Sequence, residues 1–343
     1  MRYTKFFAIS GVKPTGPILL QRLTAIALAS LFFLGTMAKA QDREDDTQAG
    51  QECTDQILTG GYGYSFSGFI GPFTGTPTPS FFRVGRVGAV GLATFNGAGS
   101  LTARDTLARS GTPAIRHAGT GTYGVNVNCT GHASIDLTSD PNSTPVDFEH
   151  LEFDFMIVPG AHGREFSFII THQTLCTVGE ACTPTLPEQT GVALSIGDEA
   201  CSDASLQGTY RLLSTGTNLV NPSKPVANAN VGFRTLDGAG LITDGEGTAV
   251  ANGVIQSPAV ITGSYKVHSD CTATEIRNDG TTLDGVVVAG GREVYELRTG
   301  NDVTGHPANA ITNVFFKKGS GRIVMGTRHA TAQGDSRGDG DND

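Results

Sequence analysis

Beyond residue 50 the hydrophobic positions recur every second residue. Tyr62, Tyr64 and Phe66 alternate with Gly63, Ser65 and Ser67, and Leu151, Phe153, Phe155 and Ile157 alternate with Glu152, Asp154 and Met156. Such alternation puts the apolar set on one face of a β-strand. Apolar stripes at helical spacing are hard to find in the same region. The runs predict strands at 61–69, 84–95, 100–110, 118–126, 132–137, 150–158, 165–171 and 191–196. A second set follows at 209–214, 230–236, 241–249, 259–267, 272–276, 285–289, 293–298, 312–317 and 322–329.

The two sets are copies. Gly121-Thr122-Tyr123-Gly124-Val125 leading to Cys129-Thr130 is echoed by Gly263-Ser264-Tyr265-Lys266-Val267 leading to Cys271-Thr272. Cys53, Asp55, Leu58, Gly60 and Tyr62 recur at the same spacing as Cys201, Asp203, Leu206, Gly208 and Tyr210. Thr94-Phe95-Asn96-Gly97-Ala98-Gly99 returns as Thr235-Leu236-Asp237-Gly238-Ala239-Gly240, a hairpin turn in both cases. Gly163-Arg164-Glu165 returns as Gly291-Arg292-Glu293. Four landmarks in one order define an internal duplication. The fold class is therefore all-β, with two tandem antiparallel domains, each a barrel of about eight strands. A pair of β-sandwiches is the alternative.

The duplication also arranges the six cysteines. Cys53 with Cys129, and Cys201 with Cys271, occupy matching places; Cys176 and Cys182 remain to close a loop found only in the first copy. Closing the longer loops would stabilise each copy by about 3–4 kcal/mol in the chain-entropy model. Three bridges imply an oxidising compartment, periplasmic or extracellular.

The ends fit that address. Arg2, Lys5, Lys13 and Arg22 precede an apolar run from Leu23 to Met37, then Ala38-Lys39-Ala40, so residues 1–40 read as a signal peptide. Residues 41–52 read as a flexible acidic linker, 53–198 and 199–330 as the two barrel-like repeats, and 331–343 as a disordered acidic tail. Without residues 1–40 and their five basic side chains, 19 Lys/Arg face 33 Asp/Glu, a formal charge of −14. A surface of that sign disfavours nucleic acid and anionic lipid as partners. No stable membrane span is expected after the signal is removed.

The Gly-x-Tyr opening each copy, Gly60-Gly61-Tyr62 and Gly208-Thr209-Tyr210, resembles the Gly-x-Trp that opens the first strand of the calycin group, including lipocalins and avidins. Tyr stands where that group has Trp. The repeated Gly-Thr-Tyr, Gly-Ala-Gly and Gly-Arg-Glu motifs are similar to those of exported bacterial proteins built from tandem barrel-like repeats. The resemblance implies a lipocalin-like barrel. A similar barrel occurs in allene oxide cyclase-like proteins, from which no catalytic residue transfers.

Candidate chemistry is sparse. The eight histidines show no metal-ligand spacing, no serine sits in a nucleophile elbow, and no C-x-x-C occurs. Neither a metal nor a cofactor is called for, and no catalytic residue is assigned. The carboxylates between Asp147 and Asp154 read as the solvated side of a strand. The copies differ in one informative way: the first holds 11 phenylalanines and the second only Phe233, Phe315 and Phe316. An aromatic cavity in the first barrel is the binding expectation, with Tyr62, Tyr64, Phe66, Phe81, Phe82, Phe153 and Phe155 as candidate contacts for a small apolar molecule. The expected protein is thus an exported, disulfide-stabilised, non-enzymatic tandem barrel. The alternatives are a barrel-type cyclase or isomerase, and an extracytoplasmic interaction or inhibitor module that meets another protein.

Overall fold

The computed structural model describes residues 52–70, 85–109, 114–139, 147–158, 161, 164–177, 182–185, 187–218, 226–251, 253–256, 258–301 and 310–317. The expected signal peptide, nearly all of the linker, the tail and the strand at 322–329 lie outside them. The described residues all belong to one unit.

The first copy is a closed antiparallel barrel. Its strands are β1 (Thr59–Ile70), β2 (Gly85–Asn96), β3 (Ser100–Arg109), β4 (Ile115–Val125), β5 (Thr130–Ser139), β6 (Asp147–Ile157), β7 (Glu165–Thr177) and β9 (Pro187–Ser195). A short β8 (Thr183–Thr185) extends β7. From β1 to β7 each strand pairs with the next, β7 pairs with β9 and β9 returns to β1, so the ring of eight strands is closed.

The second copy curls the same way through β10 (Gln207–Asn218), β11 (Val226–Asp237), β12 (Leu241–Ala251), β13 (Val254–Ile255), β14 (Ala259–Val260), β15 (Gly263–Val267), β16 (Thr272–Arg277), β17 (Thr281–Val288), β18 (Glu293–Asn301) and β19 (Ala310–Lys317). Consecutive pairing around one ring makes both copies barrel-like and sets the sandwich alternative aside. The second ring is thin at one place: β12 meets β15 only through Leu241↔Ser264 and Ile242↔Gly263. Farther along, β12 pairs with β13 and β14 instead. The run 259–267, expected as one strand, is accordingly broken at Ile261 and Thr262.

One end of each barrel is pinned in the same manner. Cys53–Cys129 and Cys201–Cys271 are bridged, as is Cys176–Cys182, the pairing that the repeat suggests. In the first copy the one-turn 3₁₀ helix Asp55–Ile57 crosses the barrel base, where Asp55 Oδ1 accepts the Val125 N–H at 2.7 Å. The Tyr123 hydroxyl lies 3.0 Å from the carbonyls of both Asp55 and Leu58. In the second copy Asp203 Oδ1 accepts the Val267 N–H at 2.7 Å, and the Tyr265 hydroxyl reaches the Leu206 carbonyl at 2.9 Å. Cys129 and Cys271 both hold positive φ, 66° and 67°, at the tight turn after this strand. Tyr123 and Tyr265 therefore do more than pack: their hydroxyls close the base of the barrel.

The outer face of the first barrel packs on the second. Val90, Leu92 and Ala108 bury against Val286, Val288, Tyr295 and Leu297. Gly63 lies so close to Val286 and Val288 that a β-carbon there would overlap their methyl groups. Polar links flank the patch. Asp284 accepts from the Thr106 hydroxyl at 2.8 Å and from Arg116 Nε at 3.0 Å, and Arg104 pairs with Asp270.

Two predictions follow from this frame. Asp55→Ala should lower stability by about 2 kcal/mol, since a charged acceptor leaves a backbone donor unmet, with Asp203→Ala close behind; an unchanged urea midpoint would remove the pinning role. Gly63→Val should cost about 1–3 kcal/mol by overpacking, and urea denaturation of the disulfide-intact protein reads it; a neutral result would mean that the barrels are not held at this point.

Candidate functional site

The first barrel's interior has two layers. Near the pinned base it is aromatic. Tyr62 meets Phe95 edge-on at 5.3 Å between ring centroids, Phe95 meets Tyr123 at 4.9 Å, and Phe155 meets Phe166 at 5.4 Å. Phe168 continues the column to Phe153 at 5.4 Å and Phe66 at 6.3 Å. Room for the rings comes from the paired position on the neighbouring strand: a β-carbon on Gly131 would strike the Phe155 ring, and one on Gly191 the Phe168 ring. Edge-to-face contacts and glycine-lined sockets are those of a filled core.

Of the expected contact set, Tyr62, Phe66 and Phe155 are buried in that core. Burial pushes the Tyr62 phenol up to about 12. Tyr64 and Phe153 are partly buried at its upper margin. Phe81 and Phe82 lie outside the described residues.

Above the rings the interior turns polar. Strand phase explains why: Asp105 follows Leu101 and Ala103 on the inner face of β3, and Glu149 precedes Leu151, Phe153 and Phe155 on the inner face of β6. The Tyr64 hydroxyl donates to Asp105 Oδ2 at 3.0 Å, while Asp105 Oδ1 holds His117 Nδ1 at 3.1 Å. Glu149 Oε2 stands 4.0 Å from His117 Nδ1 and 3.9 Å from Arg109 Nη2. Gln173 donates to Glu149 Oε1, and Gln173 Oε1 in turn accepts from Thr185 at 3.0 Å and Gln189 at 2.8 Å. Asp105, His117, Glu149, Gln173, Thr185 and Gln189 are all buried. His117 Nε2 and Glu149 Oε2 have no hydrogen-bond partner among the described residues.

The carboxylates from Asp147 to Asp154 thus do not share one fate. Glu152 and Asp154 face outward as expected, Asp154 holding His132 at 2.9 Å. Glu149 lies on the opposite phase and is wholly buried, which corrects the reading of the run as one solvated face.

The second barrel answers the same layer differently. Matching strand registers put Arg234 where the first barrel has Ala93, Glu275 where it has Ala133, and Glu296 where it has Phe168. Gly285 replaces Phe155, Ser214 replaces Phe66, Arg277 replaces Ile135, and Arg298 replaces Ile170. Where the first barrel has these three phenyl rings, the second holds the Arg234 side chain, 1% exposed, clamped between Glu275 and Glu296 Oε1, the latter at 3.0 Å. Burial pulls the Arg234 guanidinium down to about 10, with Glu296 working against it. Beside this ion-pair layer lies a cavity of about 210 Å³, lined in part by Leu212, Asn230, Ile261, Arg277, Leu283 and Arg298.

None of these polar interior groups stood out in the sequence, although strand phase carried a trace of them. Glu149 shares the parity of Leu151 and Phe153. Among the described residues, no cluster of three or more His, Cys, Asp or Glu is placed to hold a metal ion. No described helix is long and apolar enough to cross a membrane.

The buried layer makes stability depend on pH. Burial raises the Glu149 pKa, and Arg109 only partly offsets it. Burial pulls His117 down, but the hydrogen bond and charge of Asp105, with Glu149, outweigh it and leave its pKa raised. Both groups favour their protonated forms in the folded state. Their contribution is complete below the unfolded values, 4.5 and 6.5, and is lost as pH rises through the folded ones. The thermal midpoint should therefore fall as pH rises above the ordinary carboxylate range and on through that of histidine. Glu149→Gln should flatten the lower part of that fall; a midpoint that rises, or a variant with an unchanged profile, would contradict the assignment.

No family model matches the sequence, and no curated protein matches it. A solved structure from Nitrosomonas europaea, of a protein provisionally named AttH, aligns with 75% of this chain and 92% of its own at 8% identity and a TM-score of 0.25, too loose to carry an argument about site or activity.

Proposed function

We propose that this is an exported, disulfide-stabilised tandem barrel, lipocalin-like in manner, whose first barrel binds a small molecule with an apolar body and a polar head. Three disulfides fit an oxidising, extracytoplasmic location, and periplasmic or extracellular residence extends that. One observation carries the binding role. The aromatic column ends at the partly exposed Tyr64 and Phe153, directly below buried polar groups with unmet hydrogen-bonding atoms, His117 Nε2 and Glu149 Oε2. An unmet buried polar atom costs about 1–3 kcal/mol, a cost that a bound polar head would remove. Tyr64 and Phe153 would contact the apolar body, and His117 and Glu149 the head.

A specific observation also favours an enzyme of the cyclase or isomerase kind. Asp105 fixes one ring nitrogen of His117, so the other is presented in the orientation that general acid–base chemistry uses.

Native mass spectrometry of gently purified full-length protein tests both. A co-purifying small molecule that is lost on Glu149→Gln supports the carrier. Its conversion by the wild type and not by His117→Gln supports the enzyme. A bare chain mass, with no thermal shift from a library of amphiphilic small molecules, removes both.

A further inference from the structure

The second barrel's cavity has a chemistry of its own. Its lining includes two guanidinium groups, Arg277 and Arg298, against one carboxylate, Asp279. The glutamates beneath are engaged by the buried arginine layer: Arg234 pairs with Glu275 and Glu296, and Arg277 Nε donates to Glu275 Oε1 at 2.6 Å. Arg277 is left with Nη2 buried and without a hydrogen-bond partner among the described residues. Arg298 has no side-chain hydrogen bond among the described residues; Asp279 attracts it and Arg277 repels it. Asn230 Oδ1, also on the wall, is buried and unmet. The lining also includes the aliphatic side chains of Leu212, Ile261 and Leu283, Leu283 being the cross-strand neighbour of Arg298.

We propose that this cavity is a binding site for a small organic acid, its carboxylate bridging Arg277 Nη2 and Arg298 and its apolar body resting on Leu212, Ile261 and Leu283. A planar carboxylate matches the guanidinium fork and can accept from two such groups at once. The size agrees: a cavity of about 150 Å³ holds benzene, so about 210 Å³ suits a molecule of benzoate dimensions. The anion would also relieve the mutual repulsion of two cations held in a partly desolvated wall. Burial already lowers the pKa of both arginines, with Glu296 and then Asp279 working against it at Arg277, and Asp279 at Arg298. The first barrel has no counterpart, since Ile135 and Ile170 occupy the matching positions. The site is therefore independent of whatever the first barrel binds.

Calorimetric titration of the full chain with benzoate, and with benzyl alcohol as its neutral counterpart, tests this. Benzoate should bind at least tenfold more tightly. Arg298→Leu should abolish that preference while leaving the thermal midpoint of the ligand-free protein unchanged or raised, because no hydrogen bond among the described residues is lost and a poorly compensated cation is removed. Ala249→Phe, which fills the cavity and leaves both arginines in place, should weaken benzoate at least tenfold. Equal binding of the two probes, unaltered benzoate binding by Arg298→Leu, or no binding of benzoate would each overturn the proposal. A lowered midpoint for Arg298→Leu with benzoate binding retained would assign the residue to structure instead.

Discussion

At the base of each barrel a carboxylate, a phenol and a disulfide act on the same short turn. Asp55 and Asp203 each accept a backbone N–H from the strand that carries the tyrosine, and that tyrosine's hydroxyl returns to the turn's carbonyls. A barrel of eight short strands has an open mouth at both ends, and water entering either one competes with its inner contacts. Sealing one end lets the inner layers be built outward from a fixed floor. The aromatic column of the first copy rises from this floor, and Tyr210, Leu236 and Tyr265 serve as the corresponding layer in the second.

Above that common floor the copies diverge by exchange of equal space. Three phenyl rings in one barrel give way to a glycine, a serine and a glutamate in the other, and an arginine is buried there. Each solution gives its buried charge at least one partner: Arg234 touches two carboxylates, and one oxygen of Glu149 is bonded by Gln173. Buried ion pairs of this kind recover little net stability over an apolar core. Their retention suits a barrel whose interior must stay polar.

The frame was legible in the sequence because it is written twice. Cysteine pairing, the Asn96 and Asp237 turns and the strand order all follow from the matched landmarks. The interiors were less legible, and β11 shows why. Phe233 and Arg234 are neighbours, and ordinary patterning sends the phenylalanine inward. The structure does the reverse: Arg234 is buried and Phe233 only half so, because the glutamates that neutralise Arg234 arrive from β16 and β18, 41 and 62 residues later. Local patterning cannot see a partner at that distance. Glu149 was hidden likewise, its polar neighbours coming from β3, β4 and β7.

The thin ladder between β12 and β15 gives the two barrels different walls. In the first barrel the shortest interstrand ladder of the ring, β7 with β9, still joins six residue pairs, so contents can exchange only past an end. In the second, the wall beside the cavity is made of Gln256 and the stretch from Ala259 to Thr262, tied among the described residues to β12 through two-pair ladders at β13 and β14 and backbone bonds from Gln256 to Ala249 and from Ile261 to Gly245, and to Asn278 through Thr262. Parting that wall breaks only a handful of hydrogen bonds and leaves the sealed floor and the disulfide untouched. The weakest seam of the second barrel therefore runs along its side wall, where its sister barrel has continuous ladders.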